Sequence, residues 1–336
     1  MKVLSFAVVG CGSIGKRHIR NLIALGQVQV IGVDPSPARQ AEAVACGAES
    51  AASLEEAIGH GVNVVFVTSP NRFHREALEQ AVRAGCHVFM EKPLDVHSEA
   101  LEPILESLTA QGLVGMMGSN WKFHPSLRRL KTELEAGSIG RVLSANMVCG
   151  QYLPDWHPWE DYRLGYSARA DLGGGVLLDS HELDYATWLL GPAVTVACLA
   201  GKISDLEIST EDSASILLEL QSGTQVSLQL DYTQRLYRRV YGFNGAEGSL
   251  IWDAAERAVR RYQVATGAWT VWEEPRGYDV NTMYLEQTQH FLDAIAGRVL
   301  PITPLTQGLV VLRIIEAAKR SSQNQRFVKL ETGDRA

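Results

Sequence analysis

Two residues of this chain carry chemistry that fits together. Lys92 lies in Glu91-Lys92-Pro93, directly after a short apolar run, and His181 lies in His181-Glu182-Leu183-Asp184. An ammonium group can hydrogen-bond a substrate oxygen and stabilise negative charge developing on it. An imidazole can take the proton of a hydroxyl while hydride leaves the same carbon. Proline pushes the preceding residue toward extended backbone, which holds Lys92 at the end of a strand. Taken alone, a lysine before a turn proline is a surface residue, and a helical histidine beside an aspartate is a surface or core pair. His181 and Asp184 are three residues apart on a predicted helix and share a face. A carboxylate placed there favours the charged imidazole and orients the ring.

A hydride needs a carrier, and Gly10-Cys11-Gly12-Ser13-Ile14-Gly15 points to one. This G-x-G-x-x-G follows the apolar strand Leu4–Val9 and opens a helical pattern from Ser13, the context a dinucleotide turn requires. Gly10 allows the tight turn, Gly12 lets backbone approach a pyrophosphate, and Gly15 lets helix and strand pack. The pyrophosphate is expected at the helix N-terminus, over Ser13 and Ile14. Asp34 ends the second strand, 19 residues after Gly15. A carboxylate there binds ribose hydroxyls and repels a 2′-phosphate, which favours NAD over NADP. Arg39 nearby softens that preference, so NADP stays possible. Thr68-Ser69-Pro70-Asn71 and His74 end a further strand, where ligands of open α/β sheets bind. They line the cofactor cleft, cap the next helix, or do both.

The stretch from Tyr152 to Arg163 gathers Trp156, His157, Trp159 and Tyr162 just before the His181 segment. Aromatic faces stack on sugars, and arginine forks onto carboxylate or phosphate. This is read as a substrate loop for a sugar, with Arg163 for an anionic group. The competing reading is a structural or oligomer-contact segment. His157 and His181 have no ligand-spaced companions, so no metal is expected. No G-x-S-x-G points to a serine hydrolase.

These residues must be positioned by 336 residues, a length that suggests two domains. The first 118 residues alternate strand and helix in six strands, the pattern of a Rossmann doubly wound parallel sheet. After helical stretches at 125–136 and 176–190 come seven strand-like runs between 194 and 272, several joined by tight turns, and two closing helices. The expected fold class is α/β plus α+β. Residues 1–120 form the dinucleotide domain. Residues 121–336 form a substrate-binding and oligomerisation domain, with a large, mostly antiparallel open sheet and helices on one face. The two are expected to pack closely around a cleft. An open sheet face is often buried between copies, so a homodimer or homotetramer is expected. With 31 Lys and Arg against 38 Asp and Glu, the chain carries a net charge of −7, which argues against nucleic-acid or anionic-membrane binding. No apolar run is long enough for a membrane span. The N-terminal run reads as a strand entering a glycine turn rather than a signal peptide. Five scattered cysteines fit reduced thiols and a cytoplasmic location.

Together these motifs resemble the glucose–fructose oxidoreductase/inositol dehydrogenase (Gfo/Idh/MocA) family over nearly the whole chain. The parts that carry the resemblance are the glycine hexapeptide, Thr68-Ser69-Pro70-Asn71-Arg72-Phe73-His74, Glu91-Lys92-Pro93, Asn120-Trp121-Lys122-Phe123-His124-Pro125, and Gly173-Gly174-Gly175 followed by Asp179, His181 and Asp184. The resemblance implies an NAD(P)-dependent oxidoreductase of a sugar, polyol, sugar acid or nucleotide sugar. It maps the family's lysine onto Lys92 and its histidine onto His181, with Asp184 and Asp179 beside it. Glu91 and Asn120 go with the cofactor, Trp121 and Lys122 with the substrate. The family's aspartate lies four residues before the histidine, whereas Asp179 lies two before His181. Either the segment is shortened or Asp179 has another role. Two other functions share the fold: NAD recycled during epimerisation, elimination or glycoside cleavage, and a non-catalytic dinucleotide sensor.

Overall fold

The computed structural model describes residues 3–179 and 181–331. The chain divides into two compact units, Met1–Asn120 with Asp279–Leu309, and Trp121–Tyr278 with Val310–Ala336. The break after Asn120 falls where the sequence pattern changes. The segment Asp279–Leu309, expected with the second domain, groups with the first.

In the first unit the short strands β1 (Phe6–Val9), β2 (Val30–Val33), β3 (Glu49–Ala51), β4 (Val64–Val67), β5 (His87–Met90) and β6 (Gly115–Met117) form a parallel sheet ordered β3-β2-β1-β4-β5-β6. Phe6 pairs with both Val30 and Val64, so the order reverses at β1 and β4. Such a reversal leaves a crevice beyond the strands' carboxyl ends, and Gly10 and Thr68 follow those ends. The strands are apolar because both sheet faces are covered. Phe66 stacks on Phe89 at 4.7 Å, and Phe291 meets both rings edge-on at 5.6 Å. Phe291 belongs to the Asn281–Ile295 helix, and Met117 N donates to Thr303 O at 2.8 Å. These contacts recruit the distant Asp279–Leu309 segment, and no local pattern announces them.

The second unit is built on strands β7 (Val142–Gly150), β8 (Ala193–Gly201), β9 (Ser213–Leu220), β10 (Gln225–Asp231), β11 (Arg238–Gly245), β12 (Gly248–Asp253), β13 (Ala258–Gln263), β14 (Ala268–Glu273) and β15 (Val328–Lys329). Among the described residues they form one sheet ordered β14-β13-β12-β11-β7-β10-β9-β8-β15. The sheet is antiparallel except where β7 pairs with β10. Neither β7 nor β15 is evident in the sequence. β7 mixes Ser144 and Asn146 with its apolar residues because one of its faces is open. Register explains the two faces. Ile216, Leu228, Met147, Tyr241, Trp252 and Val259 form one buried row across six strands. One residue along, Leu217, Ser227, Asn146, Gly242, Ile251, Arg260 and Val271 form a row on the other face, with Leu217 and Val271 exposed.

Candidate active site

In the first unit, the glycine hexapeptide divides by role. Gly10 has φ +94°, and a Cβ there would lie 2.7 Å from the Ser69 backbone. A Cβ on Gly15 would lie 1.9 Å from Gly10 O. Both glycines are therefore demanded by the protein's own packing. Gly12 is different: a Cβ there would meet nothing within 4 Å. The missing side chain opens space in front of the Ser13–Ala24 helix, whose N-terminus has no side-chain cap. Unclaimed space at an uncapped helix start fits a pyrophosphate. Asp34 completes the cradle, its carboxylate accepting from Cys11 N and Ser36 N at 2.9 Å each. Arg39 donates to Glu42 at 3.1 Å. By this geometry the first unit fits a dinucleotide.

The polar turn after β4 is locked to this cradle. Thr68 Oγ1 donates to Gly10 O at 2.7 Å, and Asn71 is buried. His74, expected at the cofactor, is fully buried and holds two loops together. Its Nδ1 lies 2.7 Å from Pro93 O and its Nε2 lies 2.9 Å from Ser69 O. One imidazole thus ties the Ser69-Pro70 turn to the Glu91-Lys92-Pro93 segment, which contains a cis Lys92–Pro93 peptide. Burial pushes the His74 imidazole below its ordinary range, and the two carbonyls pull it back up. Lys92 is half-buried at the end of β5. Glu91 is held by His18, whose Nε2 lies 2.8 Å from Glu91 Oε1 and whose ring packs against Phe66 and Phe89. A Cβ on Gly118 would lie 3.0 Å from Glu91 Oε2. Glu91 therefore sits within the protein's own packing. His18 was not anticipated from sequence, although its place three residues after Gly15 was visible. Asn120 is buried, with Nδ2 3.6 Å from Met283 Sδ.

In the second unit, Gly173-Gly174-Gly175 makes a tight entry to the Val176–Asp179 helix. A Cβ on Gly174 would lie 2.1 Å from Tyr166 O, and Gly175 has φ +110° against the Glu211 carboxylate. His181 is half-buried at the start of the Glu182–Leu190 helix. Its ring stacks on Tyr185, one turn on, with centroids 5.4 Å apart and planes 3° from parallel. Its backbone N donates to Glu182 Oε2 at 3.1 Å. Glu182 is fully buried, and its other oxygen accepts from Tyr241 at 2.8 Å and from Arg239 Nη2 at 2.7 Å. Arg239 in turn lies over the Trp121 ring, 4.6 Å from its centroid. The backbone and the ring of His181 are thus each held by buried groups. Tyr185 was legible from helical spacing; Arg239 and Tyr241 were not.

The carboxylates expected beside His181 also have partners from elsewhere in the chain. Asp184 Oδ1 accepts from Lys122 Nζ at 2.9 Å, with both side chains buried. Lys122, expected at the substrate, is thereby part of the interior. Burial lowers its ammonium's proton affinity, and Asp184 opposes that. Asp179 is buried and accepts hydrogen bonds from Tyr166, from Ser167 at 2.7 Å and from Tyr232 at 3.0 Å. It ties Tyr166 and Ser167, which follow the aromatic segment, to Tyr232 just past β10. In that segment Trp156 packs edge-on against Tyr232, His157 lies beside Trp159, and Trp159 is 76% exposed. Tyr162 OH accepts from Glu207 N at 3.2 Å. Arg163, expected to hold an anionic substrate group, forks onto Asp161 and reaches Glu207 at 3.4 Å.

His124 yields a pH prediction. Its Nδ1 accepts from Ser126 N at 3.2 Å, which places the ring hydrogen on Nε2, 3.4 Å from Glu274. A second proton would remove the Ser126 contact, and Glu274 is already paired with Arg257. Burial first, then Arg239 and Arg257, push the imidazole down to about 4. An unfolded histidine takes its proton near ~6.5. Stability should be complete above that value and fall as pH drops toward about 4, by roughly 1 kcal/mol per unit. Urea midpoints measured across this range should decline less in His124→Gln than in the wild type. Parallel declines would refute the assignment.

Residues 4–119 match the family model described as "Oxidoreductase family, NAD-binding Rossmann fold", and residues 127–251 match the "GFO/IDH/MocA C-terminal domain". Inositol 2-dehydrogenase of Rhizobium meliloti is 25% identical over 346 residues, spanning 97% of this chain and 98% of that protein. Levoglucosan dehydrogenase of Pseudarthrobacter phenanthrenivorans is 27% identical over 266 residues, spanning 74% and 67%. A solved levoglucosan dehydrogenase in complex with NADH and levoglucosan superposes with TM-score 0.88 at 20% identity, covering 98% of this chain and 100% of that one.

Proposed function

This chain belongs to the GFO/IDH/MocA family of oxidoreductases with an NAD-binding Rossmann domain, and on that premise we propose that it oxidises a secondary hydroxyl of a sugar or polyol with NAD. The observation that carries the reading is the cradle at Gly12, left open beside Asp34 where the protein's own packing closes Gly10 and Gly15. Whole-length similarity to an inositol 2-dehydrogenase supports the substrate class.

Bound there, a nicotinamide supplies the acceptor for the hydride. The chain's residues do the rest. Lys92 donates a hydrogen bond to the substrate oxygen and stabilises charge that grows on it as the proton leaves. His181 accepts that proton, its ring orientation fixed by Tyr185 and its backbone by Glu182. Asp184 acts through Lys122 to hold the helix that carries His181, and Asp179 anchors Tyr166 and Ser167. The test is to supply NAD or NADP with a panel of polyols, sugars, sugar acids and nucleotide sugars and follow reduced-nicotinamide absorbance, with Lys92→Ala as control. Reduction with one substrate class, lost in the variant, is the expected result. Tight NAD binding without reduction by any hydroxyl substrate would sink the dehydrogenase reading and turn attention to recycled-cofactor chemistry.

The aromatic segment is proposed as the sugar-binding loop. An indole as exposed as Trp159 offers a stacking face to a sugar ring. Trp156→Ala and Trp159→Ala should each raise KM for the substrate by about tenfold or more while leaving NAD affinity unchanged. Wild-type KM in both would assign the loop a structural role.

The second unit is proposed to assemble a homo-oligomer through its open sheet face, where Leu199, Leu217, Trp269 and Val271 are exposed. Light scattering should report a dimer or tetramer, and Leu217→Glu should reduce the mass. The free thiols Cys11, Cys46, Cys86, Cys149 and Cys198 fit the proposed cytoplasmic location.

A further inference from the structure

Asp34 alone does not describe the charges around the ribose end of the cradle. Lys16, on the Ser13–Ala24 helix, and Arg39, on the Pro37–Ala45 helix, both donate to one atom, Glu42 Oε2, Arg39 at 3.1 Å. Glu42 is held below the ordinary carboxylate range, first by Lys16. Asp34 joins this group through Ser36, the N-cap residue of the Pro37–Ala45 helix carrying Arg39 and Glu42. Its carboxylate is fixed by Cys11 N and Ser36 N, and the Cys11 thiol feels Asp34, Arg39 and Glu42 together. Two cations and two carboxylates therefore share one corner of the cradle and cancel in formal charge.

We propose that Glu42 is a specificity-determining residue, which excludes 2′-phosphorylated dinucleotides by occupying the two cations beside Asp34. The proposal rests on the reading of the first unit as an NAD site and deepens it. A 2′-phosphate brings about −1.5 to −2 charges and needs cationic donors. Lys16 and Arg39 are the donors of this cluster, and Glu42 already holds them. Asp34 repels the phosphate, and Glu42 withholds the cations that would offset that repulsion. Without Glu42 the corner carries a net positive charge, with an arginine able to fork onto phosphate. The lysine, arginine and glutamate side chains are 23–42% exposed. An ion pair this open contributes little to folding, so its removal leaves the fold intact and frees the cations.

The test is direct binding of NAD and of NADP to the full chain without substrate, by calorimetry, in wild type and Glu42→Gln. Glutamine keeps the length and removes the charge. The Kd for NADP should fall on the order of tenfold while that for NAD moves less than about twofold. The gain should shrink as salt is added, and should vanish in Glu42→Gln with Arg39→Met. An unchanged ratio of the two affinities in Glu42→Gln, with NAD still bound, overturns the proposal and leaves the NAD reading standing. A wild-type chain that binds neither dinucleotide overturns the NAD reading and this proposal with it.

Discussion

His181→Ala is expected to lower kcat by about 10²–10⁴-fold, the range a positioned general base supplies. NAD affinity and the urea midpoint should stay near wild type, because His181 is half-buried at a helix start. Added imidazole should restore part of the rate, since a small base can enter the space left by the ring. A purely structural histidine would instead lower stability and show no rescue. Near-wild-type kcat in His181→Ala would remove His181 from the mechanism. Tyr185 gives an internal control: Tyr185→Phe keeps the stacked ring and should stay active, whereas Tyr185→Leu removes it and should lower kcat more than it raises KM.

The largest stability effect should come from the buried Lys122–Asp184 pair. Removing one member of a buried ion pair costs about 3–5 kcal/mol. Lys122→Met takes the ammonium from the Asp184 carboxylate, and Asp184→Leu takes the carboxylate from the ammonium, so each should drop the urea midpoint sharply. The double variant removes both charges and should recover most of the loss, because a well-packed apolar pair often replaces a buried ion pair at little cost. Similar losses in the single and double variants would mean that packing, not charge, dominates there. The experiment also separates two roles for Asp184. Activity that returns with stability in the double variant marks a positioning residue. Activity that stays lost in a stable double variant marks direct participation in the reaction.

Part of this protein is legible in the residue order alone. Near-continuous apolar runs mark β1, β4 and β5 because strands covered on both faces need apolar residues at every position. The glycines at 10 and 15 are legible because a tight turn and a close helix–strand contact each exclude a Cβ, and Gly12 completes their spacing without such a contact. Lys92 before Pro93 and His181 after the glycine entry stand out for the same local reason: backbone constraint is written in neighbouring residues.

What the tertiary structure decides is which groups meet across long stretches of chain. Spacing sets Asp184 on the face of His181, three residues away; folding also brings Lys122 to Asp184 from 62 residues away. Glu182 meets Arg239 across 57 residues, and His18 meets Glu91 across 73. Asp179 has partners that include Tyr232, 53 residues on. β7 carries no clear alternation in the sequence because its open face admits Ser144 and Asn146. Asp279–Leu309 groups with the first unit through anchors, Phe66, Phe89 and Met117, that lie more than 160 residues earlier and leave no local signal. The physical reason is common to all of these cases. Periodicity records only which face of an element is buried. A buried charge takes whichever partner the fold carries within hydrogen-bond distance, and that choice is made by packing across the whole unit.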